Sequence, residues 1–386
     1  MTGPVNREQA ISRALSGNPS IQALRAEVRA REAEIAQAAT LPNPELDFEI
    51  ENFAGTGSTR GLDGAEITTA LKQSLEIGGK RSKRTRVAEV EAEAHRAELQ
   101  SMEQETAIAA DRAFTTLLEA REIRILSEKN LARAEENLAS LEAMLEAGER
   151  GRIDVNKAKI EVSEARELLA EARANEAIAS SELSGTWGGG GSKITASGNL
   201  SAPGRGVSIK ADEAVSGHPA IRRAGLHLAL AKATRDLEMA KRYTDIEIGG
   251  GVRELRDEGE TAAVVGFSVP LPVFDRNQGN IRAAEERVAR AEAEQRAVES
   301  DLLTQFEKLS TELSAAKTRV AEFDSTTLEA ARQALQDTSD AYAAGKASLL
   351  EVLDARKTLF NIEVGRTRAL ADLVRAHNTL KTFTQN

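Results

Sequence analysis

The sequence contains no cysteine, and only 3% of its 386 residues are aromatic. Without cysteine the chain can form neither disulfides nor thiolate metal sites, and the redox state of its compartment stays open. The scarcity of aromatic residues, together with 29% charged residues, argues against large globular cores. This composition is more typical of an elongated helical protein.

Long apolar runs are also missing, since no stretch approaches the length of a transmembrane helix. The first residues, MTGPVNREQAI, lack the apolar centre of a signal peptide, which predicts either a processed chain or one that stays in the cytoplasm. The net charge is −10, and the one basic cluster lies at residues 80–84. Nucleic-acid binding is therefore not expected.

The residues that usually carry catalysis show no constellation. The four histidines are scattered, and neither a Ser/His/Asp order nor a phosphate-binding loop is present. No His pair has metal-ligand spacing. We therefore predict no enzyme activity, no cofactor and no fixed metal site.

Residues 41–84 lie between two long helical patterns, and from residue 45 apolar and polar residues alternate strictly. One face of the first run is apolar (Leu46, Phe48, Ile50), and the other is acidic (Glu45, Asp47, Glu49, Glu51). Residues 67–77 alternate in the same way, which predicts a β-hairpin between two unlike environments. Strands of roughly ten residues are long enough to cross a bilayer when tilted.

The same pattern returns 200 residues later. Asn18-Pro19 recurs as His218-Pro219, and the acidic and apolar pattern at residues 45–48 recurs at residues 245–248. The chain is thus an internal duplication. We predict second-half strands over residues 244–255 and 261–273, with Val265, Phe267 and Val269 on the apolar face.

The helical patterns flanking each hairpin are long. Residues 82–146 contain neither Pro nor Gly, which predicts a coiled-coil-like helix of roughly 100 Å. A matching helix is predicted over residues 280–342, and the Gly-rich segment 188–191 fits either a natural loop or an engineered linker. The predicted regions are an N-terminal helical region (1–41), a hairpin (42–81), a helical hairpin (82–183), a Gly-rich linker (184–207), a helical region (208–243), a second hairpin (244–275) and a second helical hairpin with the C-terminal helix (276–386).

A sheet that crosses a membrane must close, because backbone groups cannot face lipid unpaired. Four strands are too few, since the smallest such barrels have about eight, so the barrel must be shared between copies of the chain. Its lumen would be lined by Asp47, Glu49, Glu51, Asp245 and Glu247, and lipid would face Leu46, Phe48, Ile50, Val265, Phe267 and Val269. The alternative is an ordinary half-buried sheet in a soluble oligomeric coiled-coil scaffold without transport activity. Membrane barrels carry girdles of aromatic residues, and the small number of aromatic residues near the strand ends or faces here favours this alternative (Phe48, Phe53, Tyr243, Phe267, Phe274).

Five segments carry a family resemblance: LPNPE at 41–45, ENFAG at 51–55, LEIGGKR at 75–81, VPLPVFDRNQG at 269–279 and AYAAGKASLLEVLDAR at 341–356. Together they resemble the TolC family of outer-membrane efflux factors, in particular its CzcC-like heavy-metal branch of cobalt-zinc-cadmium and copper-silver type. The resemblance covers nearly the whole chain in the right order. The chain lacks the signal peptide, which the resemblance implies has been removed, and the lipid-attachment cysteine of some relatives, which leaves lipidation open.

The resemblance implies a mainly α protein with a transmembrane β-barrel. Its duplicated long coiled-coil helices would form a periplasmic α-barrel, and its four strands would complete a twelve-stranded barrel in a homo-trimer. It further implies the exit duct of a tripartite pump in the outer membrane, exporting heavy-metal cations. The implied partners are a periplasmic adaptor and a proton-driven inner-membrane transporter of the resistance-nodulation-division type.

Two further surfaces are candidates. In the family the turns remote from the membrane form the periplasmic entrance and meet the adaptor, which here implicates Gly148, Gly151, Arg152, Ile153, Asp154 and Val155, and Gly345, Ser348, Leu349, Leu350 and Glu351. These turns could equally be plain connectors, and Arg152 and Asp154 could form an inter-helix pair that holds the entrance shut. Four basic residues could anchor the chain at the membrane interface or merely keep a helix start soluble: Lys80, Arg81, Lys83 and Arg84.

Overall fold

The computed structural model describes residues 4–191, 193–204 and 210–384. The described chain is mainly helical and contains one antiparallel sheet. It forms two compact units, one from Met1–Leu24, Leu99–Pro219 and Glu299–Asn386, and one from Arg25–Glu98 and Ala220–Val298. In chain order the elements are α1 (Arg7–Gly17), α2 (Pro19–Ala38), β1 (Glu45–Glu51), β2 (Glu66–Leu75), α3 (Lys80–Glu146), α4 (Arg152–Gly185), α5 (Ala211–Ser216), α6 (Pro219–Lys241), β3 (Ile246–Leu255), β4 (Glu260–Ser268), α7 (Gln278–Glu322), a π-helical segment (Phe323–Thr327), α8 (Leu328–Ala343) and α9 (Leu349–Thr384).

The sheet lies in the second unit with strand order β1-β2-β3-β4. Every neighbouring pair is antiparallel, and the register places Phe48 opposite Thr69, and Ile248 opposite Phe267. The β2–β3 pair joins the two halves of the duplicated chain. β1 and β4 are the outer strands of this sheet, so each has one edge without a partner strand within the described chain.

β4 is shorter than the sequence predicts. It ends at Ser268, whereas the alternation of apolar residues predicted a strand as far as Val273. Pro270 and Pro272 explain the difference, because neither residue has an N–H to donate to a neighbouring strand. Val269 therefore lies just outside the sheet. Asp245 likewise precedes β3, which begins at Ile246.

The long helices follow the prediction in the first half but not in the second. α3 runs unbroken for 67 residues. The predicted second rod is interrupted by the π-helical segment, where the Thr327 hydroxyl donates to the Glu322 carbonyl at 3.3 Å. The Phe323 ring packs against Gly365, so that a Cβ there would lie 3.2 Å from the ring. This side-chain packing accompanies the extra residue in the turn, and no Pro or Gly marks it in the sequence.

Two smaller differences concern helix starts. The single helix predicted from Ser208 is instead two, because Gly217 and His218 separate α5 from α6; residues 205–209, including Ser208, lie outside the described residues. Near the N-terminus Asn18 caps α2, where Asn18-Pro19 interrupts the predicted N-terminal helical region. Its side-chain oxygen accepts the Ser20 N–H at 2.8 Å.

The Gly-rich segment is packed rather than extended where it is described. The end of α4 tightens into turns in which the Gly189 N–H donates to the Ser184 carbonyl at 2.8 Å. A side chain at Gly189 would lie 2.8 Å from both the Ser184 carbonyl and the Trp187 ring nitrogen. Trp187 in turn packs against a core that contains Phe114 and Leu183. The predicted linker region 184–207 therefore begins as part of the first unit's core.

Ala, Val and Leu form most of the cores of both units. In the first unit one cluster joins α1, α3 and α4, and another joins α7 to α9, with Leu313, Val320 and Leu370 at its centre. In the second unit the buried residues of the helices are mostly Ala and Val, including Val90 and Ala284. Because such side chains fill the contacts between the helices, the chain contains few aromatic residues. None of the described helices contains an apolar segment that is long and hydrophobic enough to cross a bilayer.

Candidate functional site

One face of the sheet is apolar and exposed in the single chain. The side chains of Val265 and Phe267 are 87% and 82% exposed, and those of Leu46 and Phe48 are 73% and 62% exposed. The register places these four residues on the same face as Leu71, Ile248 and Val252. Exposure of so many large apolar side chains indicates a surface that is covered in the working protein. We call it the apolar face.

The opposite face, the charged face, carries more than the predicted carboxylates. By register, its titratable residues are Glu45, Asp47, Glu49, Glu51, Glu66, Lys72, Glu247, Arg253 and Glu260. Arg253 connects three strands, since its guanidinium lies 3.1 Å from the Glu51 carboxylate and 2.8 Å from that of Glu66, and donates to the Thr68 hydroxyl at 2.9 Å. Lys72 pairs with Asp47.

The acid on this face is unevenly distributed between the hairpins. Glu49 and Glu247 have no ion-pair partner among the described residues, so their charges are not neutralised locally. The second hairpin carries less acid on this face, because within β3 the face carries Glu247 and Arg253 with Gly249 and Gly251 between them. On β4 the same face carries Ala262, Val264 and Gly266.

Asp245, which the sequence predicts to line the lumen, forms hydrogen bonds at the junction just before β3. Its carboxylate accepts hydrogen bonds from the Lys80 ammonium at 2.7 Å and from the Ile77 N–H at 3.2 Å. It therefore connects the start of β3 to the end of β2 and the beginning of α3. The Lys80 side chain is only 12% exposed.

The rest of the basic cluster is also largely paired within the second unit. Arg84 binds the Glu76 carboxylate and donates to the carbonyls of Ala38 and Thr40 at 2.8 and 3.0 Å. Lys83 lies 3.7 Å from the Asp236 carboxylate. Lys80 and Arg84 thus hold the strand-to-helix junction, and their role at the membrane interface stays a prediction. In the described chain, Arg81 alone of the four has no carboxylate partner.

The two turns that join long helices share one backbone design. We call residues 147–151, between α3 and α4, the first tip, and residues 344–348, between α8 and α9, the second tip. Gly148 has φ +75° and Gly345 has φ +71°. In both tips the following N–H reaches back five residues, from Glu149 to the Met144 carbonyl and from Lys346 to the Ala341 carbonyl, each at 2.8 Å. This is the Schellman ending, in which glycine tolerates the left-handed conformation.

The tips differ in how the next helix begins. At the second tip Ser348 and Glu351 form a capping box, because the Glu351 carboxylate accepts the Ser348 N–H at 2.6 Å and its hydroxyl at 2.9 Å. Hydrogen bonds from the Ser348 backbone and hydroxyl hold the pKa of the Glu351 carboxyl below its ordinary value. At the first tip Gly151 occupies the cap position without a side-chain cap.

Neighbouring apolar residues at the tips divide into buried and exposed members. Val155 and Leu349 are 4% and 3% exposed and pack with Leu141 in one cluster, so they hold the tips together rather than offering a docking surface. Ile153 and Leu350 are 71% and 60% exposed. The Arg150 guanidinium lies over the Tyr342 ring at 4.4 Å. Within the described chain neither Arg152 nor Asp154 has an ion-pair partner.

Sequence reasoning placed Lys72 on the polar side of its strand but missed Glu66 and Arg253 as residues of the charged face. Strand parity was a sufficient signal for their orientation, since Arg253 lies six residues after Glu247. Their pairing could not be read from the sequence, because Arg253 and Glu66 are 187 residues apart in the chain. Across the described residues no three His, Asp or Glu side chains are grouped as ligands for a metal ion.

Comparisons with known proteins agree with this geometry. The family model "Outer membrane efflux protein" matches residues 10–189 and 211–384. The cobalt-zinc-cadmium resistance protein CzcC of Cupriavidus metallidurans is 29% identical over 98% of this chain and 89% of its own. The nickel and cobalt resistance protein CnrC of the same organism is 33% identical over 73% of this chain and 67% of its own.

A solved structure of CusC has the same fold, with a TM-score of 0.83 at 17% identity, covering 100% of this chain and 94% of that one. The family model covers nearly all of both halves, and the curated relatives align through most of the chain. The chain belongs to the outer membrane efflux protein family, the TolC family that its motifs resemble, and acts in efflux at the outer membrane.

Proposed function

We propose that this chain is the exit duct of a tripartite efflux pump and that it exports heavy-metal cations. The observation that carries the proposal is the two-faced sheet with open outer edges on β1 and β4. Its apolar face is exposed, and its other face is charged. A lipid bilayer outside and an aqueous channel inside satisfy both faces at once.

Closure of this sheet requires further copies of the chain. An edge strand left open in lipid leaves unpaired N–H and C=O groups, each at a cost of several kcal/mol. β1 and β4 run in opposite directions, so β4 of one copy can pair antiparallel with β1 of the next. Three copies would supply twelve strands, the number that the family resemblance implies. The functional unit is therefore a homo-trimer.

The charged face supports export of cations. It carries seven carboxylates and two cationic groups, and Glu49 and Glu247 keep their charges unpaired in the described chain. A confined acidic channel raises the local concentration of cations. The relatives CzcC and CnrC are named for resistance to cobalt, zinc, cadmium and nickel. In planar bilayers we expect preference for K⁺ over Cl⁻ at low salt, and an anion preference would contradict this assignment of faces.

The tips support docking to a partner. Ile153 and Leu350 expose apolar side chains beside turns that contain Gly148, Gly151 and Gly345, a combination suited to a partner's helical tips. The partner is a periplasmic adaptor protein, which connects the duct to a proton-driven transporter of the resistance-nodulation-division type in the inner membrane. Gly148, Gly151 and Gly345 leave room at this surface, since a Cβ at any of them would meet no atom within 4 Å.

The alternative of a soluble coiled-coil scaffold does not fit the family. Outer-membrane efflux proteins work in the membrane, and the exposed apolar face of the sheet is the surface that such a location requires. A protein that remained monodisperse without detergent, with its hairpins ordered, would revive the scaffold interpretation.

The proposal is tested by metal tolerance in a bacterium that lacks its own duct and carries matching adaptor and transporter genes. We expect the wild-type chain to restore tolerance to zinc, cobalt or cadmium. Ile153→Asp with Leu350→Asp should remove this tolerance while trimers still form. The matched control is Ile178→Asp, also on α4 and 56% exposed but distant from the tip in sequence, which should keep tolerance. Full tolerance in the tip variant would contradict adaptor docking at this surface.

A further inference from the structure

Residues 269–274, the segment Val-Pro-Leu-Pro-Val-Phe that follows β4, expose apolar side chains from a fixed backbone. Phe274 is 92% exposed, Leu271 78% and Val273 60%. These exposed fractions are similar to those of the residues on the apolar face. Because the segment lies outside the sheet, strand pairing with another copy does not account for its exposed side chains. We call it the apolar loop.

Part of the backbone of the apolar loop is hydrogen-bonded within the chain. Pro270 and Pro272 have no N–H group. The carbonyls of four residues accept hydrogen bonds: Pro270 from the Thr244 hydroxyl at 2.7 Å, Leu271 from the Val273 N–H at 2.9 Å, Pro272 from Arg276 at 3.1 Å and Phe274 from Gln278 at 3.2 Å. These hydrogen bonds reduce the number of backbone groups that must give up water when the loop meets an apolar medium, and the remaining groups favour a position at the hydrated boundary of that medium.

The loop is also fixed at its far end. The Asn277 amide donates to the Glu238 carbonyl at 2.8 Å and to its carboxylate at 2.7 Å, which ties the loop to the end of α6. A loop held in this way loses little conformational entropy when it binds.

The surroundings of the loop indicate what covers it. The loop continues directly from Val265 and Phe267, at the end of the sheet from which α3 and α7 depart. Arg242 and Arg276 flank it, and Tyr243, 51% exposed, lies beneath the Arg242 guanidinium at 5.5 Å. Apolar and aromatic tips with adjacent arginines are typical of the boundary between acyl chains and headgroups.

We propose that the apolar loop inserts into the periplasmic leaflet of the outer membrane, where it anchors the base of the barrel at the acyl-headgroup boundary. Phe274 and Leu271 enter the outer part of the acyl layer, and Arg276 and Arg242 lie among the phosphates. Lys80 and Arg84, the groups predicted from the sequence to lie at the membrane interface, are paired at the strand-to-helix junction, whereas the apolar loop presents its side chains to the exterior. The inference rests on the proposed orientation of the apolar face toward lipid.

The absence of cysteine makes the test direct. Single variants Phe274→Cys and Leu271→Cys are labelled with an environment-sensitive fluorophore and reconstituted into phosphatidylethanolamine and phosphatidylglycerol vesicles containing nitroxide lipids. Two nitroxide positions are compared, one near the headgroup and one deep in the acyl chain. Val265→Cys reports the middle of β4, and Ile153→Cys reports the first tip.

We expect quenching at positions 274 and 271 to be stronger from the shallow nitroxide than from the deep one. The order should reverse at position 265, and position 153 should be quenched by neither. Labels at 274 and 271 that escape both nitroxides would overturn the inference. In that case, disulfide-linked oligomers from a chain carrying Asn43→Cys with Phe274→Cys would assign the loop to a second copy instead. Should position 265 also escape quenching, the proposed orientation of the sheet fails with it.

Discussion

The two tips of this chain descend from one duplicated turn and keep the same helix ending, whereas the helix that follows each begins differently. Gly148 and Gly345 both have positive φ, and both are followed by an N–H that reaches back five residues. Gly151 then starts α4 without a side-chain cap, and Ser348 starts α9 with a capping box. After duplication both tips have thus kept the left-handed glycine, which other residues replace only at a cost in free energy. The helix cap, which several residue types can form, has diverged.

The two hairpins show the same principle at a larger scale. Both retain apolar residues on the face assigned to lipid, but the charged face has changed between them. β1 carries four carboxylates there, and β4 carries one, Glu260, followed by Ala262, Val264 and Gly266. A closed barrel would therefore alternate acidic walls with nearly neutral ones. The requirement to face lipid restricts residue choice more than the requirement to face water does.

The largest expected effect comes from placing a charge on one face of the sheet or on the other. Val265→Arg places a charge on the apolar face and should destabilise the inserted barrel by roughly 2–4 kcal/mol if it lies near the bilayer midplane. Val264→Arg, on the charged face of the same strand, is the matched control and should cost much less. Denaturant titration of refolding into vesicles measures both. Equal costs for the two variants would contradict the assignment of the faces.

The second effect concerns the glycines shared by the tips. Gly148→Ala and Gly345→Ala each force a Cβ into the left-handed region, at a cost of about 1–2 kcal/mol. Gly151→Ser is the control, because Gly151 has an ordinary φ of −92° and exchange of Gly for Ser at a cap position should change stability by only a few tenths of a kcal/mol. Amide hydrogen exchange around each tip measures the difference. The idea fails if all three variants behave alike.

The third effect concerns the different caps at the starts of α4 and α9. Ser348→Ala removes the capping box and should destabilise the start of α9 by about 1 kcal/mol. Gly151→Ser should do the reverse at α4, with a gain of a few tenths of a kcal/mol. Hydrogen exchange at the first turns of α4 and α9 reads out both changes. An unchanged α9 start in Ser348→Ala would show that packing of Leu349 alone holds it.

The smallest effect is a pH dependence that only the second tip should show. The pKa of Glu351 is lowered by its hydrogen bonds to Ser348, so the unfolded helix start binds a proton more readily than the folded one. The stabilisation is present above the ordinary carboxyl pKa and is lost as pH falls through the lowered value. Exchange at the start of α9 should accelerate over that acidic range. Glu351→Gln should remove this dependence, and a persistent pH response in that variant would assign it to another group.

Strand alternation in the sequence was sufficient to predict the sheet and the residues of its two faces. A period of two is a local property, so Phe48 and Asp47 can be assigned to opposite faces without knowledge of any partner strand. The neutralisation of Asp47 by Lys72, and of Glu51 and Glu66 by Arg253, depends on strand register and was not predicted. The early end of β4 could have been read from Pro270 and Pro272.

The helices were predictable in extent but not in their interruptions. Absence of Pro and Gly predicted α3 closely, yet the same absence gave no sign of the π-helical segment, where Phe323 packs against Gly365 from α9. At the tips the sequence identified the apolar pairs Ile153 with Val155 and Leu349 with Leu350. Which member is buried depends on the cluster around Leu141, which forms only when α3, α4 and α9 pack together.

The central claim is that copies of this chain close a barrel that no single copy can complete. The mass of the detergent-solubilised assembly, measured by native mass spectrometry on protein purified from outer membranes, tests that claim most directly. We predict three times the chain mass of 41.4 kDa. A stable monomer whose hairpins remain protected from hydrogen exchange would contradict it.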